Sequence, residues 1–158
     1  MKIGVELKDE HHDPGETFAD ARALEAAGVD ALWASENAHS DHTLLLAAIA
    51  AVTSRVRIVW VKGSKTGAIE SLDRLSRGRL AIAEAHGDEL KVTDAEVEDE
   101  RWVRVDFPKD RATWRELRAK HEADGIAGLV LSNDPRLIDL VRNPDVEDDR
   151  QDLKLAFG

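Results

Sequence analysis

The sequence predicts an α/β fold. Three observations carry that reading. Short apolar runs alternate with helix-length segments of 3.6-residue periodicity. Helix start and stop signals fall between them. The crossovers are long enough to hold helices, so the strands they join run parallel.

Lys2–Leu7 is a first β run, with Ile3, Val5 and Leu7 alternating. Asp13 caps a helix, Pro14 suits its first position, and Glu16 completes a capping box. The helix runs to about Ala27, with Phe18, Ala21, Leu24 and Ala27 on one face, and Gly28 ends it. Asp30–Ser35 is a buried strand containing Trp33. Ser40 or Asp41 caps a second helix carrying Leu45, Ala48, Ile49 and Val52, and Arg55–Val61 is a third strand. Thr66 caps a third helix with Ile69, Leu72 and Leu75, stopped by Gly78, and Arg79–Ala85 is a fourth strand.

The repeat then breaks. Lys91–Val97 and Arg101–Phe107 read as strands joined by Glu98-Asp99-Glu100, too short for a crossover helix, so they form an antiparallel hairpin. A helix from Asp110 to about Asp124 carries Trp114, Leu117 and His121. Gly128–Leu131 is one more strand, and Asn133-Asp134-Pro135 opens a last helix ending near Asn143-Pro144. Residues 1–158 read as one domain, with 145–158 a surface tail.

Composition excludes several function classes. There is no cysteine, hence no disulfide, zinc-thiolate site or Cys nucleophile. The net charge of −10 is the wrong sign for a nucleic-acid partner or an anionic lipid surface. No apolar run approaches the roughly 20 residues of a membrane span, and no basic-then-apolar leader opens the chain, so the cytoplasm is the default location.

Three stretches resemble the luciferase-like monooxygenase family. Residues 21–37 look like its first helix and second strand, with Glu36-Asn37 where the family has a Glu–His pair. Residues 44–59 resemble its second helix and third strand, and residues 72–82 its entry into the fourth. Gly128–Arg142 is similar to a late strand–helix unit. The resemblance implies a shortened TIM-barrel-like (β/α) fold, with parallel strands one to four plus an inserted antiparallel hairpin. It also implies FMN or the deazaflavin F420 at the C-terminal strand ends, and oxidation or reduction of a small organic substrate. The full family barrel has about 250 residues or more. The chain departs from the family at Glu84-Ala85-His86-Gly87, where a Gly-rich segment is usual, and at Trp60, Val61 and Lys62 before Gly63.

Functional groups in such folds sit in the loops after the strands. Those loops gather Asp9, Glu10, His11, His12 and Asp13, then Glu36, His39, Asp41 and His42, then Glu84 and His86. Five of the six histidines thus fall on one face of the sheet, with His121 apart on a helix. Three readings stand beside one another. In one, His11, His12, Glu36, His39 and His86 line a flavin-type site and move protons near pH 7. In another they bind a metal, although no spacing such as H-E-x-x-H occurs. In the third they are loop polars and helix caps without chemistry, which for Asp41 capping alone explains. Trp60 reads as core or as a ring stacked on the cofactor. The candidate phosphate cradles are Gly63–Gly67, which follows Lys62 and includes Ser64, and Asn133–Arg136. Arg79 reads as a structural ion-pair partner of Glu6 or Glu84.

The expected activity is that of a flavin-type oxidoreductase. The alternatives are a catalytically inactive flavin-binding or structural scaffold and a metal-dependent enzyme. An incomplete barrel wall leaves Ile3, Val5 and Leu7 on one side and Leu129, Val130 and Leu131 on the other without strand partners, and so predicts a homodimer.

Overall fold

The computed structural model describes residues 1–7, 13–34, 42–62, 69–93, 99–144 and 146. Seven strands close into a barrel in chain order: β1 (Lys2–Glu6), β2 (Ala31–Ala34), β3 (Arg57–Val61), β4 (Leu80–His86), β5 (Glu89–Thr93), β6 (Glu100–Arg104) and β7 (Gly128–Ser132). Among the described residues five helices connect or follow them: α1 (Pro14–Ala27), α2 (His42–Val52), α3 (Ile69–Ser76), α4 (Arg111–Ala123) and α5 (Leu137–Arg142). Among the described residues, none is long and apolar enough to cross a membrane.

The expected parallel order of strands one to four holds, with β1–β2, β2–β3 and β3–β4 all parallel. Among the helix signals the Asp13 and Asp110 starts and the Gly28 stop hold, whereas the last helix begins at Leu137 with no side-chain cap. Asp13 accepts the Gly15 N–H at 2.9 Å, Asp110 accepts the Thr113 N–H at 2.7 Å, and Gly28 ends α1 at φ 97°. The Ser40, Asp41 and Thr66 caps lie outside the described residues, as does the tail except for exposed Val146.

The wall from β4 onward differs from expectation. β4 runs on to His86 and turns through Gly87 and Asp88 into β5, so the two pair antiparallel with His86 opposite Glu89. Gly87 has φ 65° at the first central position of this two-residue loop, where type II′ turns take glycine. β5 and β6 are antiparallel, as the hairpin expectation has it, but β5 starts at Glu89 and β6 at Glu100. β6 then lies parallel to β7, and β7 parallel to β1. β5 is therefore the one reversed strand of the seven. Closure also removes the premise of the dimer argument, because the strands expected to flank a gap pair with each other, Ile3 opposite Leu129 and Val5 opposite Leu131.

Two apolar clusters fill the molecule. An outer one, including Val5, Leu32, Ile58, Trp60, Leu129 and Trp114, lies between wall and helices. An inner one contains Ala31, Trp33, Val59, Val61, Ala81, Ala83, Leu90, Val92, Trp102 and Val130. Trp33 on β2 and Trp102 on β6 meet edge-on across the bore at 5.3 Å, both fully buried. Gly4 and Gly128 make room for them: a Cβ on Gly128 would lie 2.4 Å from two Trp102 ring carbons, and one on Gly4 would lie 2.3 Å from Trp33 Nε1. The bore is a filled core, as small barrels require.

Candidate functional site

Alternation along the strands decides which side chains face the bore. On β1 these are Lys2, Gly4 and Glu6, and on β6 they are Glu100, Trp102 and Arg104. The two strands flank β7 and carry complementary charges at both ends of the bore. At the N-terminal end Glu100, only 11% exposed, accepts from Lys2 Nζ, from Arg57 at 2.9 Å and from Trp102 Nε1 at 2.9 Å. Burial alone pushes the Glu100 carboxyl up. The hydrogen bonds from Lys2 and Trp102 and the Arg57 charge outweigh that and hold it below the usual carboxylate range.

At the C-terminal end Glu6 and Arg104 form a two-pronged pair, Nε to Oε2 at 3.0 Å and the second nitrogen to Oε1 at 3.3 Å. Each is about a quarter exposed. Arg104 also donates to the Gly87 carbonyl at 3.3 Å, and its backbone N–H donates to the Asp88 carbonyl at 2.8 Å, which ties the β4–β5 turn to the mouth. Glu6, Asp88, Arg104, Asp106 and Ser132 line a cleft of about 300 Å³ there. Guanidinium, hydroxyl and carboxylates together offer both donors and acceptors to a bound molecule.

The sequence-derived site residues are placed differently. His11, His12, Glu36, His39, Gly63 and Ser64 lie outside the described residues. His86 follows Ala81 and Ala83, which face the bore, and Leu80 and Ile82, which face outward, so alternation sends it to the outer wall, exposed on the same side as Glu84. His42 is buried at the start of α2. The two described histidines of the expected face therefore do not share a surface. Trp60 is 4% exposed in the outer apolar layer, which removes it from any stacking role. Lys62 points outward and pairs with Glu84 at 3.0 Å, and this hydrogen bond lowers the Glu84 pKa.

Asn133 donates to Asp20 of α1 at 2.9 Å. Arg136 pairs with Asp134 at 2.9 Å and lies over the Phe107 ring at 4.4 Å. Arg79 pairs with neither Glu6 nor Glu84 as expected. It holds the Ser76, Val56 and Ala50 carbonyls at 2.8 Å, the Thr53 carbonyl at 3.2 Å and the Thr53 hydroxyl at 3.1 Å. Among the described residues no group of three or more His, Asp or Glu is placed to hold a metal ion.

The mouth residues were not singled out in sequence. A signal existed: charged residues stand four apart on the two strands, Lys2 and Glu6 on β1 against Glu100 and Arg104 on β6, in opposite order of sign.

The fold defines an α/β protein with a closed, mostly parallel barrel and a polar mouth at the C-terminal strand ends. No family profile and no curated protein matches the chain. Among solved structures it is similar to the coenzyme F420-dependent tetrahydromethanopterin reductase from Methanopyrus kandleri. The TM-score is 0.44 and the identity 18%, covering 74% of this chain and 30% of the reductase chain. It is also similar to prephenate dehydrogenase from A. aeolicus, at a TM-score of 0.29 and 12% identity, covering 89% of this chain and 63% of that one. At these scores neither likeness adds to the account of fold or site.

Proposed function

We propose that the protein binds a small organic molecule at the C-terminal mouth of its barrel and acts as a flavin-type oxidoreductase, with FMN or F420 as cofactor. The observation that carries the reading is the Glu6–Arg104 pair beside Ser132, a polar, solvent-open cluster at the strand ends. The flavin part rests on the sequence resemblance. The mouth suits the hydrogen-bonding edge of a flavin ring, because Arg104 can donate to a ring carbonyl and Glu6 can accept from a ring N–H. It does not suit a phosphate: Glu6, Asp88 and Asp106 stand against one arginine. A flavin supplies hydride or electron transfer when bound. The chain's own share is to orient the ring edge and keep one face of it against the filled bore.

Fluorescence titration of the full chain with FMN, and with oxidised and reduced F420, tests this. One flavin should bind, and Arg104→Gln should weaken it at least about tenfold, the loss of a charge-assisted hydrogen bond. A second reading is a catalytically inactive scaffold. It is favoured by the filled bore and by the engagement of Lys62, Asn133 and Arg136 with other side chains. Failure of every flavin to bind at up to about 1 mM, where only the weakest affinities register, would select it.

A further inference from the structure

α4 is a basic element in an acidic chain. Residues 109–123 carry five Lys and Arg against three Asp and Glu, while the whole chain has a net charge of −10. Arg111, Arg115 and Arg118 follow one another at i, i+4 and i+7 and so form one flank of the helix. Arg111 faces α5, donating to the Asn143 carbonyl at 3.0 Å and pairing with Asp139. Arg115 and Arg118 have no ion-pair partner among the described residues. Glu122, the acid at the end of the same flank, stands 3.9 Å from the N-terminal amine instead. Arg118 is nevertheless held in place. Its guanidinium lies 5.8 Å from the ring centroid of fully buried Trp114, and its Nε is buried without an acceptor. A guanidinium laid against an indole, with donors unused, is a preorganised receptor for a carboxylate.

We propose that the carboxylates of residues 147–152 of this same chain dock on that flank. Two facts select them. The first is place. The last described turn lies beside Arg111: the Asn143 carbonyl that Arg111 holds also accepts the Val146 N–H at 3.4 Å, and Val146 is exposed. The second is charge. Residues 147–152 read Glu-Asp-Asp-Arg-Gln-Asp, four acids and one base, and lie outside the described residues. Arg115 and Arg118 stand about 6 and 10 Å beyond Arg111 along the helix, at 1.5 Å per residue. An extended chain covers about 3.3 Å per residue, so Glu147, Asp148 and Asp149 can reach both arginines. A tether this short holds its acids at about millimolar effective concentration. Exposed ion pairs are individually weak, so the docked state is reversible and salt-sensitive.

The chain has no cysteine, so a nitroxide on Gln151→Cys is a single label. Paramagnetic relaxation enhancement of the backbone amides of the full chain then reads its distance from α4. At about 0.02 M salt the enhancement should be strong at residues 115–119. It should fall at least about threefold at about 0.5 M salt, where the screening length is about 4 Å. It should fall as far in Glu147→Gln/Asp148→Asn/Asp149→Asn, whose changes lie outside the barrel. Arg115→Glu/Arg118→Glu should lower it too, and adding Glu147→Lys/Asp148→Lys/Asp149→Lys should restore it.

Equal enhancement in the parent at both salt concentrations and in the neutralised variant overturns the proposal, because an undocked tether gives that result. So does a charge-exchange variant that keeps the parent's amide spectrum in the barrel yet stays at the lowered value. Enhancement passing from spin-labelled chains to unlabelled chains in a mixture would put the acids on a second copy, and overturns it as well.

Discussion

Gly128→Ala should destabilise the barrel, although on backbone grounds it should do the reverse. Gly128 sits in β7 outside the positive-φ region, so alanine fits its backbone. Such a change ordinarily stabilises by about 0.4–1 kcal/mol through the unfolded chain. Here the new Cβ would stand 2.4 Å from two Trp102 ring carbons and 2.8 Å from a third. The indole cannot retreat. It is fully buried, its Nε1 is held by Glu100 at 2.9 Å, and it packs against Trp33. Overpacking of this kind costs about 1–3 kcal/mol and at times more. With a rigid ring as the obstacle, a net loss of about 2–3 kcal/mol follows. For a chain of this size that lowers the melting temperature by roughly 5–10 °C. Thermal and urea unfolding followed by circular dichroism read it directly. Trp102→Leu should partly rescue the variant: the double substitution should lose at least about 1 kcal/mol less than the sum of the singles. If Gly128→Ala melts at or above the parent temperature, the bore is not filled as described.

Glu100→Gln should remove about 2–3 kcal/mol by leaving Lys2 and Arg57 without their shared carboxylate. It should also flatten the acid limb of stability. The folded pKa lies below the ordinary value of 4.5, so this contribution is present above that value and fades as pH falls through the lower folded one. Urea midpoints of parent and variant measured from about pH 6 down to pH 3 should therefore converge, and parallel curves would contradict the assignment. Arg79→Lys should cost about 2 kcal/mol despite keeping the charge, because one ammonium cannot reach acceptors on α2, α3 and the α2–β3 turn together. Denaturant unfolding decides it, and a loss no larger than that of an exposed arginine would show that the carbonyl contacts contribute little.

The first half of the barrel was legible because its signals are local. Asp13, Pro14 and Gly28 bracket α1 through bonds within a few residues, and the apolar runs of β1 to β4 need no distant partner to be recognised. The β4–β5 turn was legible in principle, since Gly87-Asp88 is a two-residue hairpin signal between alternating runs. Reading His86 and Gly87 as the start of a loop hid it. It also misplaced His86, whose position follows from strand alternation once β4 is extended. The same alternation removes Trp60 from the site. It is one residue out of phase with Val59 and Val61, which face the bore, and no spacing rule shows which phase is inward until the wall is closed.

Closure is the part that local reasoning could not supply, and it follows from the reversal of β5. Between β4 and β7 the chain holds one helix-length crossover, α4, and so one parallel unit, β6–α4, which leaves a further strand to be supplied without a helix. The tight Gly87-Asp88 turn adds β5 without a helix, and β6, antiparallel to β5, points back with the parallel set. Two strands are thus gained in about 20 residues, and the wall from β4 reaches β7. The stretch carries no covering helix among the described residues. Its outward side chains Glu84, Glu89, Lys91 and Arg101 are accordingly exposed and charged and His86 is exposed, while Leu90, Val92 and Trp102 face in. The same reversal brings the β4–β5 turn to the C-terminal mouth, where Arg104 binds the Gly87 carbonyl and Glu6 together. The strand that completes the wall therefore also builds the rim of the candidate site.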